Sequence, residues 1–146
     1  QVLHAAVRRH DELLRGEPGL ILPGEKTWAK NVYWMYSIVV EDKFGMSRDD
    51  LMGFLRQRGV DTRTLFIPMH VQPAFKDAGL FEGERYPVSE RLAAGGLYLP
   101  SGSGLTEGQI HTVCEAIHQA GDQKVRRYED RIDDPVECSL GAVVAR

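Results

Sequence analysis

Two cysteines, little net charge and no long apolar run bound this chain before any motif is read. Cys114 and Cys138 are too few for a disulfide scaffold and lack a C-x-x-C spacing, which fits a reducing, cytoplasmic compartment. A formal charge of −3 over 146 residues, with no run of lysine or arginine, argues against a nucleic-acid surface. The longest apolar stretch, around YSIVV, is far short of the roughly 20 residues a membrane helix needs. The sequence has no Gly-rich phosphate loop of dinucleotide or P-loop type, no H-E-x-x-H and no G-x-S-x-G. Internal repeats and low-complexity tracts are also missing. What remains is a globular composition, 42% hydrophobic and 27% charged, of a length that builds one domain around its own core.

The chain starts at Gln1 with VLHAAVRRHDELL already in helical register, Val2, Ala5, Ala6, Arg9 and Leu13 recurring without a capping residue ahead. No signal-peptide h-region explains such a start, so the expectation is a piece of something longer. Gly16, Pro18 and Gly19 break that helix and open a connecting segment over 15–31. VYWMYSIVVED, 32–42, is β-branched and aromatic and predicts a central strand. Ser47, with Asp50 three residues on, then Leu51, Phe54 and Leu55 and finally Gly59, predicts a capped helix. A second strand follows and stops at Pro68, and one helical turn is expected around Ala74–Ala78. PVSERLAAGG, 87–96, reads as a short helix with proline at its first position, and LYLP as a third short strand. Thr106 and Gln109 form a capping box for a last helix whose buried stripe is Ile110, Val113, Cys114 and Ile117. The charged segment from Asp122, ending in CSLGAVVAR, has no assigned element. The fold class is therefore α+β, a small sheet with helices packed against it.

Three constellations carry candidate chemistry. His111, Glu115 and His118 lie on one face of the last helix. Two histidines seven residues apart stand roughly 10 Å apart by helix geometry, too far to share one ion, so we read them as the wet flank of the core stripe. Cys114 near those histidines could be a nucleophile, but a thiol on a buried stripe is usually an inert small hydrophobe. The third is GVDTRTLFIPMHVQP, residues 59–73. Arg63 offers a planar fork for carboxylate or phosphate, Phe66 can cover an apolar or ring surface, and His70 lies just past the strand end. Either this is an ordinary edge strand, with Arg63 in solvent and Leu65 and Ile67 buried, or it is one wall of a site for an anion.

The run NVYWMYSIVV, then RDDLMGFLRQRGVDTRTLFIPMHVQPAF, then YPVSERLAAGGLYLPSGSGLTEGQIHTVCEAI resembles the carboxy-terminal domain of the DegT/DnrJ/EryC1/StrS aminotransferases over about residues 4–121. Within that family TRTLFIPMH is most similar to the perosamine-synthase type, T-R-P-F-F-Y-P-x-H, with Thr64 in place of the proline and Leu65 in place of the first phenylalanine. The resemblance implies the small C-terminal domain of the aspartate-aminotransferase fold (fold type I) of pyridoxal-phosphate (PLP) enzymes. It implies amino transfer to nucleotide-linked keto-sugars, in polysaccharide or amino-sugar biosynthesis, and a homodimer when intact. It divides the chain into the end of an interdomain helix (1–14), the small domain (15–121) and a tail (122–146).

In that family a large N-terminal domain holds PLP through a lysine in an S-F-x-x-x-K setting, and none of Lys26, Lys30, Lys43, Lys76 and Lys124 stands in one. The expectation is that this chain alone does not transaminate and holds no PLP covalently. By the same resemblance Arg63 would meet the anionic or hydroxyl-bearing part of a nucleotide-sugar, Phe66 would pack on it, and His70 would approach its sugar or cofactor end. The surface toward the missing domain would be an apolar patch around Trp28, Tyr33 and Trp34, unless these rings belong to the local core. The alternatives are a stand-alone, non-catalytic module that binds a nucleotide-sugar or a partner protein, and an inactive relic.

Overall fold

The structure, a computed structural model, describes residues 2–132 and the side chains of residues 6–123. Its elements in order are α1 (Val2–Leu14), β1 (Leu20–Ile21), β2 (Tyr36–Val40), α2 (Arg48–Arg56), β3 (Arg63–Thr64), α3 (Pro73–Asp77), α4 (Pro87–Gly95), β4 (Gly96–Leu99) and α5 (Glu107–Ile132). One-turn 3-10 segments stand at Asp42–Phe44 and Met69–Val71. The α+β class read from the sequence is the observed one. The sheet, however, has four strands rather than three, in the order β1-β2-β4-β3, with every pair antiparallel.

The caps explain where the helices begin. Ser47 Oγ accepts from the Asp50 amide at 3.1 Å, as its sequence position predicts, and α2 ends where Gly59 turns left-handed with the Val60 amide on the Leu55 carbonyl. Thr106 and Gln109 form a reciprocal capping box at the start of α5. Each cap is worth about 1 kcal/mol.

The strands depart further from expectation. The segment 15–31 is not only a connection, since Leu20 and Ile21 pair with Val40 and Val39. β2 starts at Tyr36 and not at Val32. Tyr33 takes a positive φ of 51°, its amide bound to Asn31 Oδ1, and a residue in that conformation cannot sit in a ladder. β3 is two residues long, continued only by the Leu65 amide on the Gly96 carbonyl. α5 runs through Gly121 to Ile132, so the charged segment from Asp122 begins as helix. The remainder of that tail, with Cys138 and CSLGAVVAR, lies outside the described residues, as does the side chain of Lys124.

Register assigns each side chain a face. Partners across an antiparallel pair point the same way. Tyr36 faces Leu99 and Ile38 faces Leu97, all fully or nearly fully buried against Val7 and Leu14 of α1, Leu51 and Leu55 of α2, and the Ile110–Ile117 stripe of α5. The alternate positions point to the other side. Ile21, Val39 and Gly96 form one row, with Leu65 beside Gly96, and the last turn of α4 lies over it at Gly95. Ser37, Tyr98 and Arg63 form the next row, and there Ser37 and Tyr98 are half-buried and Arg63 exposed.

Inside the core, His10 of α1 stacks on Tyr36 with ring centroids 4.7 Å apart, and the Tyr36 hydroxyl donates to Asp11 at 2.6 Å. The His10 Nδ1 donates to the Ala6 carbonyl, while Nε2 is buried without a partner among the described residues. Burial holds its pKa below the usual 6.5, the Ala6 carbonyl and Asp11 opposing.

Two outcomes test this packing. The folded state disfavours protonated His10, so the unfolded chain binds the extra proton and stability falls as pH drops below about 6.5. A series of thermal melts from pH 7.5 to 5 should show that slope, and His10→Gln should flatten it. Gly19 has φ 79°, and a Cβ there would meet the Phe44 amide nitrogen at 2.0 Å, a clash that backbone cannot easily relieve. Gly19→Ala is expected to cost about 2–4 kcal/mol by chemical denaturation, whereas Gly16→Ala, with open space around it, costs only the strain of its φ.

Candidate functional site

The stretch that the sequence singled out leaves the sheet at Thr64 and divides into two environments. Arg63 is exposed on the open row and makes no ion pair or side-chain hydrogen bond among the described residues. Phe66 is 71% exposed, and its ring meets that of Tyr98 edge-on at 6.1 Å. Since Tyr98 is the register partner of Arg63, the guanidinium, the phenol and the Phe66 ring share one side of the sheet. Ile67 and Met69 are exposed as well, so the picture of an edge strand with a buried Ile67 does not hold.

His70 turns the other way. Its side chain is 6% exposed, its ring packs edge-on against Tyr86 at 4.9 Å, and Nε2 donates to Glu90 Oε1 at 3.0 Å. Glu90 also takes both Nε and Nη2 of Arg85 and the backbone amide of Tyr86. The Arg85 bond first, then the Tyr86 amide and His70, hold its carboxyl down to about 2. Glu90 is thus a hub that ties the Met69–Val71 turn to the start of α4, while Gln72 Nε2 closes the loop on the Ile67 carbonyl. Arg63 and Phe66 come together on the open face, and His70 fastens the loop from behind.

Sequence reasoning missed Glu90, Arg85 and Tyr98. A glutamate in the first turns of a helix that opens with proline was a visible cue to the Tyr86 amide bond. Its long-range partner His70, and the pairing of Tyr98 with Arg63, depend on tertiary structure.

The other constellations are structural. His111 Nε2 accepts from Arg9 at 3.1 Å, and His118 meets Glu17 through Nδ1 and the Leu13 carbonyl through Nε2, so both fasten α1 to α5. Among the described residues no histidine, cysteine and carboxylate cluster could hold a metal ion. Burial pushes the Cys114 thiol up to about 12, against the pull of Arg9, which suits an inert core residue. Of the three aromatics expected in an exposed patch, Trp28 and Trp34 are exposed, while Tyr33 is buried in the core.

A profile of the DegT/DnrJ/EryC1/StrS aminotransferase family matches residues 4–118. The chain belongs to this family. GDP-perosamine synthase of Vibrio cholerae is 34% identical over 85 residues, which are 58% of this chain and 23% of that protein. The Caulobacter vibrioides protein of the same name is 30% identical over 90 residues, 62% of this chain and 24% of that one. Among solved structures, S. venezuelae DesV in complex with a ketimine intermediate superimposes with a TM-score of 0.71 at 29% identity, covering 82% of this chain and 31% of that one. The sugar aminotransferase CalS13 of Micromonospora echinospora, at 22% identity and a TM-score of 0.67, shares the fold. The sheet and its helices are accordingly those of fold type I aminotransferases, in a family of PLP-dependent sugar aminotransferases. The chain spans about a quarter of the length of the curated relatives it matches.

The described residues do not fit PLP. Lys26, Lys30, Lys43 and Lys76 are all exposed, and none of them stands in an enclosed pocket that could seat a cofactor ring. Lys76 alone of them borders the cavity of about 460 Å³ beside His70, where Glu82 and Glu84 stand near it and the other cation, Arg85, is already bound to Glu90, so no free cation pair is left for a phosphate. No helix among the described residues is long and apolar enough to cross a membrane.

The Glu90 hub has a measurable consequence. Its depressed carboxyl pKa supports the folded state above about 4.5 and loses that support only as pH falls through about 2. Glu90→Ala, by freeing His70 and Arg85, should speed backbone hydrogen exchange over 65–72 about tenfold while the protection of α5 stays as it was.

Proposed function

We propose that this chain is the carboxy-terminal, substrate-contacting part of a PLP-dependent aminotransferase that acts on nucleotide-linked keto-sugars, and that it is not catalytic alone. Residues 15–121 would be the small domain, 1–14 the end of an interdomain helix, and 122–146 a tail beyond the family's pattern. One observation carries the substrate contact: Arg63, a cation with no side-chain partner among the described residues, stands beside aromatic rings on the exposed end of the sheet face that α4 covers only at the Ile21–Val39–Gly96 row. A planar guanidinium takes a diphosphate oxygen pair in a bidentate manner, and an exposed ring covers a sugar or base. The names of the perosamine synthases supply the nucleotide-sugar class, and the short span relative to those proteins supports a cofactor domain outside this sequence, while the homodimer of the intact enzyme rests on the family resemblance alone. His70 would act on substrate indirectly, through the loop that it fastens. When bound in such a parent, PLP supplies an electron sink, and this chain's residues supply only binding and orientation.

The test has two parts. Incubation with PLP, borohydride reduction and intact-mass analysis should show no stoichiometric pyridoxyl adduct, and a mixture with glutamate and a nucleotide-keto-sugar should give no turnover. A single modified lysine with turnover would overturn the non-catalytic part. Arg63→Gln should weaken binding of a nucleoside-diphosphate sugar about tenfold, the loss expected for one charge-assisted contact. Unchanged affinity would remove Arg63 from the contact.

A further inference from the structure

We infer that the row Ser37–Tyr98–Arg63, closed at its end by Phe66, is a binding surface for a nucleoside diphosphate, with Tyr98 as the ring on which the base lies. The inference rests on the substrate-contact reading above and adds to it two residues and a division of labour.

Register places the three side chains in line across β2, β4 and β3, with neighbouring strands about 4.8 Å apart. Three features separate this row from the adjacent one. The Ile21–Val39–Gly96 row is apolar and lies against α4, with Gly95 so close that a Cβ there would meet the Val39 side chain at 3.1 Å. The Ser37–Tyr98–Arg63 row carries two hydroxyls and a guanidinium, and none of the three has a hydrogen-bond or ion-pair partner among the described residues. Elsewhere the side chains in this part of the molecule are tied down: Arg85 to Glu90, Arg48 to the Ala93 carbonyl and Asp49, the Tyr86 hydroxyl to Glu84. Polar groups left unpaired side by side on a rigid ladder are preorganised donors and acceptors.

The rings set the second half of the surface. Phe66 stands at 67° to Tyr98, so the two form a corner with one face of each ring at an angle to the other. A planar base can lie on one ring and meet the edge of the second. Arg63 sits one strand from Tyr98, on the far side from Ser37, which puts the cation next to the stacked ring. Base on Tyr98 and diphosphate on Arg63 satisfy the charge, the rings and the order of the strands together. The Glu90–His70 fastening holds the loop that carries Phe66 at the corner.

Calorimetric titration of the 146-residue chain with guanosine diphosphate, and separately with inorganic pyrophosphate, tests the division. Tyr98→Leu should weaken guanosine diphosphate about tenfold or more by loss of stacking, and leave pyrophosphate unchanged. Tyr98→Phe, which keeps the ring, should cost guanosine diphosphate no more than about threefold. Arg63→Gln should weaken both ligands. A guanosine diphosphate affinity that falls with Arg63→Gln but not with Tyr98→Leu overturns the stacking surface and leaves the substrate contact standing. Absence of binding by the wild-type chain overturns both. Thermal melts of each variant separate lost binding from lost folding, and the pyrophosphate arm does so a second time, since an unfolded variant would lose that ligand too.

Discussion

The antiparallel register of β2 on β4 is the constraint on which the molecule depends. Because side chains alternate along a strand, pairing Tyr36 with Leu99 and Ile38 with Leu97 commits those four to one core under α1, α2 and α5. The same choice sends Ser37 and Tyr98 to the opposite side. A slip of β2 by one residue would turn Ser37 toward the core and expose Tyr36 and Ile38, at a cost of a few kcal/mol for each large apolar side chain moved into water. The face that remains open is therefore a by-product of the core. Its polar groups need no buried partners because water reaches them, which is why the sheet can carry them without a stability penalty.

β3 joins that arrangement by two residues only, and its shortness has a purpose that geometry makes plain. A longer strand would have carried Phe66 along the ladder on the side opposite to Arg63. Leaving the sheet after Thr64 lets the chain turn, so that Phe66 comes back over Tyr98 on the side of Arg63. A free two-residue strand would be a weak anchor, and the loop is secured downstream instead. His70 is buried on Glu90, and Gln72 holds the Ile67 carbonyl, so the exposed residues Phe66, Ile67 and Met69 lie between two fixed points. The energetic centre of this loop is Glu90, four donors deep, rather than any residue of the motif itself.

How much of this was legible in the sequence follows from the range of the interactions involved. Helix starts and stops are local: Ser47 with Asp50, Thr106 with Gln109, and Gly59 each act within six residues, and each was readable. Strand extents are not local. VYWMYSIVVED has β-forming residues throughout, yet Asn31 and the left-handed Tyr33 delay the strand to Tyr36. β1 is too short to have any period, and only its pairing with Val39 and Val40 identifies it. The site was legible in its residue types and not in its grouping. Arg63, Phe66 and His70 stand within eight positions, and their spacing gives no sign that two face outward and the third faces in.

The histidines of α5 show the same limit from the other side. His111 and His118 sit at helical spacing with Glu115 between them, a pattern that metal sites share with ordinary wet helix flanks. What decides between the two is the neighbouring helix. α1 runs alongside α5, bringing Arg9 to His111 and both Glu17 and the Leu13 carbonyl to His118. Leu13 lies in the last turn of α1, where carbonyls lack partners within the helix, so His118 completes that helix end from outside. Gly121 leaves room for the Glu17 side chain as it stands, since a Cβ there would lie 2.6 Å from its other carboxylate oxygen. Imidazoles committed to such bonds are unavailable to a metal, and the residues that resemble a site are the fasteners of the two helices. Arg63 is the opposite case, since nothing else in the described fold occupies it, and an unspent guanidinium beside two rings is the feature a ligand can use.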